Sequence, residues 1–154
     1  MSYSYNQIIT DLEQVAMNNL FINRFGSGDI SDIDAVIDNS LPLFHGTPEN
    51  FPICWVVPQT ATVGMNTLNY MFRILVFDID NTDDSHQQEI LSDTLRTLID
   101  IIKVYTNENT EVDIETDNVC TPFTERFTVY TCGWYTDITI ITNLDNSPCN
   151  IPTY

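Results

Sequence analysis

Basic residues are nearly missing from this sequence. Five Lys and Arg stand against 22 Asp and Glu in 154 residues, a formal charge of −17, and the five (Arg24, Arg73, Arg96, Lys103, Arg126) are scattered singly. A nucleic-acid binder neutralises phosphates with clustered Lys and Arg, so binding through phosphates is disfavoured. Anionic membrane surfaces are disfavoured for the same reason. No run of 18 apolar residues occurs, and Met1-Ser-Tyr-Ser-Tyr-Asn-Gln7 lacks a basic region followed by an apolar core. Neither a membrane span nor a signal peptide is expected, and synthesis in the cytoplasm is. Cys54, Cys120, Cys132 and Cys149 contain no Cys-x-x-Cys pair, and His45 and His86 have no zinc-like spacing. Reduced, mostly buried thiols are the expectation, with no metal or cofactor. Internal repeats and low-complexity blocks are absent as well.

What is present is apolar and patterned. A hydrophobic fraction of 43% with 11% aromatics argues against disorder. A single domain of this length buries about two thirds of its unfolded surface without staples. The chain is organised around residues 68–105. Leu68-Asn-Tyr-Met-Phe-Arg-Ile-Leu-Val-Phe77 is apolar on both period-2 faces, so it predicts a long strand covered on both sides. After the acidic turn at 78–84 the period changes, and Leu91, Leu95, Leu98, Ile102 and Tyr105, with Ile99 beside them, predict a helix. Ser85 and Gln88 have capping-box spacing at its start.

At the N-terminus, Ser4 and Gln7 have the same spacing, and Ile8, Leu12, Val15 and Ala16 form a stripe on a helix of about four turns ending near Asn18. Leu20 to Phe25 is a short strand candidate stopped by a turn at Gly26-Ser-Gly-Asp29. Ile30, Ile33, Val36 and Ile37 among four aspartates fit either a strand or one acidic helical turn. Residues 39–52 carry three prolines and a glycine and predict a loop with contact potential. Ile53 to Val57 is a short buried strand ended by Pro58, and residues 59–67 connect it to the long strand as an antiparallel pair. Val112 and Ile114 alternate with Asp113 and Glu115 as in a half-exposed strand. Residues 123–142 form the second dominant strand region, with Gly133 at a bulge or break.

The expected architecture is therefore α+β: residues 4–142 as one domain with a mainly antiparallel sheet and two principal helices on one side, and residues 143–154 as an irregular arm.

One motif invites chemistry. Ile74-Leu-Val-Phe-Asp-Ile-Asp-Asn-Thr82 matches an apolar strand ending in Asp-x-Asp-x-Thr, the signature of haloacid-dehalogenase-type phosphotransferases. There Asp78 is the nucleophile, Asp80 the general acid and base, and magnesium the cofactor. The supporting parts are missing, because Lys103, the only lysine, falls late in the following helix and no acid pair ends a later parallel strand. As a calcium loop the segment has Asp83 where a sharp turn needs glycine. A solvated turn capping the helix is the simpler reading. His45 and His86 stand beside no Ser or Cys that spacing ties to them. The remaining function classes are an interaction protein and a standalone acidic mimic of DNA.

The order of elements and several short signatures resemble a family. An Arg-Phe-Gly-Ser-Gly-Asp turn at 24–29, Leu-Pro-Leu-Phe at 41–44, Leu-Ser-Asp-Thr-Leu at 91–95, Phe-Thr-Glu-Arg-Phe at 123–127 and Cys-Gly-Trp-Tyr-Thr-Asp-Ile at 132–138 are similar to the neck and tail-completion ring proteins of tailed bacteriophages, nearest to those of crAss-like phages. The likeness spans about residues 4–142. It implies a connector-like α+β virion subunit forming a six- or twelve-fold ring with other neck, portal or tail proteins, around a channel through which DNA passes without being specifically bound. It implies no catalytic residues and no cofactor. The side chains expected to reach copies or neighbours are Leu41, Leu43, Phe44, Tyr70, Phe72, Trp134, Pro148 and Pro152.

Overall fold

The structure, a computed structural model, describes residues 4–33, 51–79, 87–109, 112–116, 119–126 and 130–143. The first helix, α1 (Tyr5–Asn18), starts where its sequence says it must. Gln7 N–H donates to Ser4 Oγ at 3.3 Å and Ser4 N–H donates to Gln7 Oε1 at 2.8 Å, so two otherwise orphaned donors are satisfied reciprocally. Ile8, Leu12, Val15 and Ala16 are its buried stripe. Asn19 closes the helix: its N–H bonds Ala16 O, and its side chain accepts from Phe21 N–H at 2.9 Å.

The chain continues through β1 (Arg24–Ser27), β2 (Ile53–Val63), β3 (Thr67–Ile79), α2 (Gln87–Glu108), β4 (Asp113–Thr116), β5 (Thr121–Arg126) and β6 (Tyr130–Asn143). These strands form one sheet in the order β1-β2-β3-β6-β4, with β5 also paired to β6. Among the described residues only β1 and β2 run parallel; the other pairs are antiparallel. The α+β class with a mainly antiparallel sheet and two main helices is thus what the chain adopts.

The two apolar faces of β3 have different covers. Phe72, Ile74 and Val76 share a core with Cys54 and Val56 of β2, Ile138 and Ile140 of β6, α1, and Leu98, Ile101 and Tyr105 of α2. Both helices therefore lie against this face. Leeward of them, Leu75, Phe77 and Ile79 join Ile53, Trp55 and Val57 of β2 with Ile33 and Phe51, and Phe123 and Tyr135 pack at the margin. Each such side chain, taken fully out of water, contributes roughly 1.5–3 kcal/mol before conformational entropy is set against it.

Four local expectations are corrected. First, β2 does not stop at Pro58 but runs to Val63, with the register shifting between Pro58 and Thr60. Proline is tolerated because β1 covers β2 only from Ile53 to Val56, so Pro58 occupies an edge where no N–H is needed. Second, β1 lies further along the chain than Leu20 to Phe25 and includes Gly26. A Cβ on Gly26 would stand 2.5 Å from Trp55 Cε3, so the bare backbone makes room for the indole. Third, the buried line of α2 is Thr94, Thr97, Leu98, Ile101 and Tyr105, while Leu91, Leu95 and Ile102 flank it and Ile99 is exposed. Thr94 and Thr97 pass as apolar because their hydroxyls donate to Ile90 O (2.6 Å) and Asp93 O (2.8 Å) one turn back. Fourth, Gly133 marks neither bulge nor break: β6 pairs with β3 from Thr131 to Asn143 without a register shift. Residues 31–33 are helical, so the acidic helical turn and not the strand begins there, while residues 34–38 and Ser85 of the α2 capping pair lie outside the described residues.

Candidate interaction surface

The acidic turn after β3 was the one motif with catalytic potential. Asp78 is half-buried on the helix-facing side of β3, and its Oδ1 accepts from Ile79 N–H at 2.7 Å. Burial raises its carboxyl above the ordinary value, the Ile79 N–H partly offsets this, and Asp93 of α2 adds to the rise. Asp80, His45 and His86 lie outside the described residues. β3, which ends one residue past Asp78, has antiparallel neighbours on both sides, unlike the parallel strands beside which phosphotransferase acids are placed. Among the described residues no group of three or more His, Cys, Asp or Glu is arranged to hold a metal.

A carboxyl whose pKa folding raises carries a penalty that is absent while the group is protonated in both states and complete once it is ionised in both. Asp78→Asn keeps an acceptor for Ile79 N–H and removes that penalty. The variant is expected to melt at or above the wild-type temperature at pH 7. Its advantage is expected to vanish as pH falls below the ordinary Asp value, as thermal unfolding between pH 3 and 8 would read.

Two of the cysteines are buried away from any reaction partner. Cys54 is buried, with its thiol pushed up to about 12, and Cys132 is fully buried; Cys120 is half-exposed. Cys120 stands in an open groove of about 390 Å³ between α2 and the β4–β6 side of the sheet, floored by Ile102 and Ile114 with Lys103 at its rim.

Of the side chains expected at contacts, Leu41, Leu43, Phe44, Pro148 and Pro152 lie outside the described residues. The other three are engaged within the chain. Phe72 is 1% exposed and forms an aromatic cluster with Tyr70 (centroids 6.1 Å apart) and Tyr5 of α1 (5.7 Å). Tyr70 is half-buried in that cluster. Trp134 is half-buried and donates its indole N–H to Leu91 O at 2.8 Å, tying β6 to α2. These rings stabilise the domain's own interior.

The surface that sequence reasoning missed is the distal half of β2. Past Val57 every residue from Pro58 to Asn66 is exposed. Val63 is 71% and Met65 92% exposed. Gly64 N–H donates to Thr67 O at 2.8 Å, which sets the phase of the ladder. With Val63 opposite Leu68, Thr62 opposite Asn69 and Ala61 opposite Tyr70, the backbone groups of Thr62 face β3 and those of Ala61 and Val63 point outward. A signal existed: residues 50–72 contain no Asp, Glu, Lys, Arg or His in a chain of charge −17.

No helix among the described residues is long and apolar enough to cross a membrane. No protein-family model matches the sequence, and no curated protein matches it.

Proposed function

We propose that this chain is a structural protein of a tailed-phage virion, forming a six- or twelve-fold ring in the head–tail connector around the DNA channel, without catalysis. One observation carries the reading: the uncharged, exposed distal edge of β2 on a strongly acidic chain. Copies that each carry −17 repel one another, so they associate through surfaces that bear no charge. Edge strands of proteins that stay single are commonly guarded by Lys, inward charges or bulges. The bulge at Pro58/Thr60 lies at the base of this edge, and Thr60 to Val63 has no guard. The shared layout and signatures of neck and tail-completion ring proteins support the same reading.

The acidity has a use in that setting. A ring of such subunits gathers on the order of a hundred negative charges, and a channel of the same sign as DNA repels the duplex instead of gripping it. Other neck, portal or tail proteins complete the assembly.

Three measurements test this reading. Mass-spectrometric inventory of purified particles is expected to find the chain at a copy number that is a multiple of six. Light scattering on the purified chain, alone and with portal proteins, is expected to show oligomers, and a phosphatase assay with magnesium is expected to show no turnover. A monomer absent from particles overturns the proposal, and so does turnover abolished by Asp78→Asn.

A further inference from the structure

The distal half of the sheet is a four-stranded antiparallel band. Thr62, Asn69, Ile141 and Asp113 lie in one row; Ala61, Tyr70, Ile140 and Ile114 in the next; Thr60, Met71, Thr139 and Glu115 in the third. β2 bounds this band on one side and β4 on the other, at the same level. We infer that the ladder continues between copies, with the β2 edge of one protomer pairing head to tail with β4 of the next. The inference rests on the ring reading and names the contact that closes the ring.

Three observations meet in it. The first is direction. β2 runs with β6 and β4 runs against it, so rotating a copy about an axis along the strands brings β4 beside β2 antiparallel, the pairing the rest of the band already uses. The second is chemistry. Residues in one row share a face, so the join places Ala61 and Val63 beside the partner copy's Ile114 on the helix-facing side. On the other face Thr60 and Thr62, whose hydroxyls donate, meet the partner copy's Asp113 and Glu115. The third is charge. Pairing β4 with another β4 would set Asp113 and Glu115 against their own kind, which cross-strand pairs disfavour, whereas β2 brings no charge.

The test uses the full chain. Thr60→Glu puts a carboxylate against Asp113 and Glu115 at an exposed position, so the fold is kept and the concentration for half-assembly is expected to rise about tenfold or more. Adding Glu115→Lys to Thr60→Glu is expected to restore assembly. Oxidised Ala61→Cys/Ile114→Cys is expected to give a ladder of covalent oligomers on a non-reducing gel, which either single substitution does not give. Circular dichroism and melting of each variant separate lost assembly from lost folding. Rings indifferent to Thr60→Glu, or a wild-type chain that stops at a dimer, overturn the inference. In the first case the ring reading stands. A wild-type chain that is monomeric at every concentration and absent from particles removes both.

Discussion

Trp55→Ala is expected to lower stability by about 3–5 kcal/mol, the range for deleting a large buried aromatic. Trp55 is 2% exposed in the core that lies away from the helices, level with Leu75 of β3 and Gly26 of β1. Its ring occupies the space a side chain at position 26 would take. The indole N–H donates to Gly28 O at 3.1 Å, and Gly28 N–H donates to Val56 O at 3.0 Å, so neighbouring residues of β2 clasp the same glycine. Gly28 has φ +131°, a conformation that L side chains rarely adopt. Removing the indole therefore leaves a cavity, frees a carbonyl and loosens the parallel pairing of β1 with β2. Trp55→Phe separates these effects, because it keeps most of the packing and forfeits the hydrogen bond, at about 1 kcal/mol plus the lost contacts. Urea unfolding followed by circular dichroism reads both. A loss under 1 kcal/mol for the alanine variant would mean that β1 and its loop are held by something else.

Gly133→Ala, one added methyl group, is expected to cost about 3 kcal/mol and to lower Tm by roughly 10 °C. A Cβ at this position would stand 2.6 Å from Phe77 Cα and 2.8 Å from Phe77 Cβ, and would also press on Val76 O. Much of what it meets is backbone in the longest ladder of the sheet, so no rotamer change relieves the clash. Relief requires β3 and β6 to separate between two register pairs. Thr139→Ala is a fitting control, on the same strand and face but half-buried, and is expected to stay within about 0.5 kcal/mol of wild type. A thermal melt of Gly133→Ala that overlays wild type would show that the strands part freely there.

Much of the architecture was legible because its signals are local. Ser4 with Gln7, the stripe from Ile8 to Ala16, the doubly apolar run at 68–77 and the alternation at Val112–Glu115 each dictate a structure within a few residues of themselves. What escaped depends on partners distant in sequence. Pro58 reads as a strand end until the extent of β1 is known. Thr94 and Thr97 read as polar until their hydroxyls are seen to bond the preceding turn. Gly133 reads as a break, yet its reason is Phe77, 56 positions away in the chain and directly opposite in the sheet. The expected contact rings show a related effect: Phe72 is buried, while Tyr70 and Trp134 are half-buried. Large rings such as Phe72 and Trp134 attract attention as contacts, but the same size makes them valuable in a subunit's interior. A lack was the more telling signal of an open strand edge: the uncharged stretch at 50–72 holds the exposed residues 58–66.

The place of β6 has a consequence for how the molecule comes into being. This strand lies between β3 on one flank and β4 and β5, end to end, on the other, yet it leaves the ribosome after all three. Until it emerges, β3 lacks its longest neighbour and the two short strands have none, so the nascent chain exposes several unfinished backbone rows together. Sequence-distant pairing of this kind folds slowly and gives transient species time to stick to one another. Translation that stalls before residue 130 is thus expected to release insoluble fragments, and a chaperone acting on this chain would meet it in that interval.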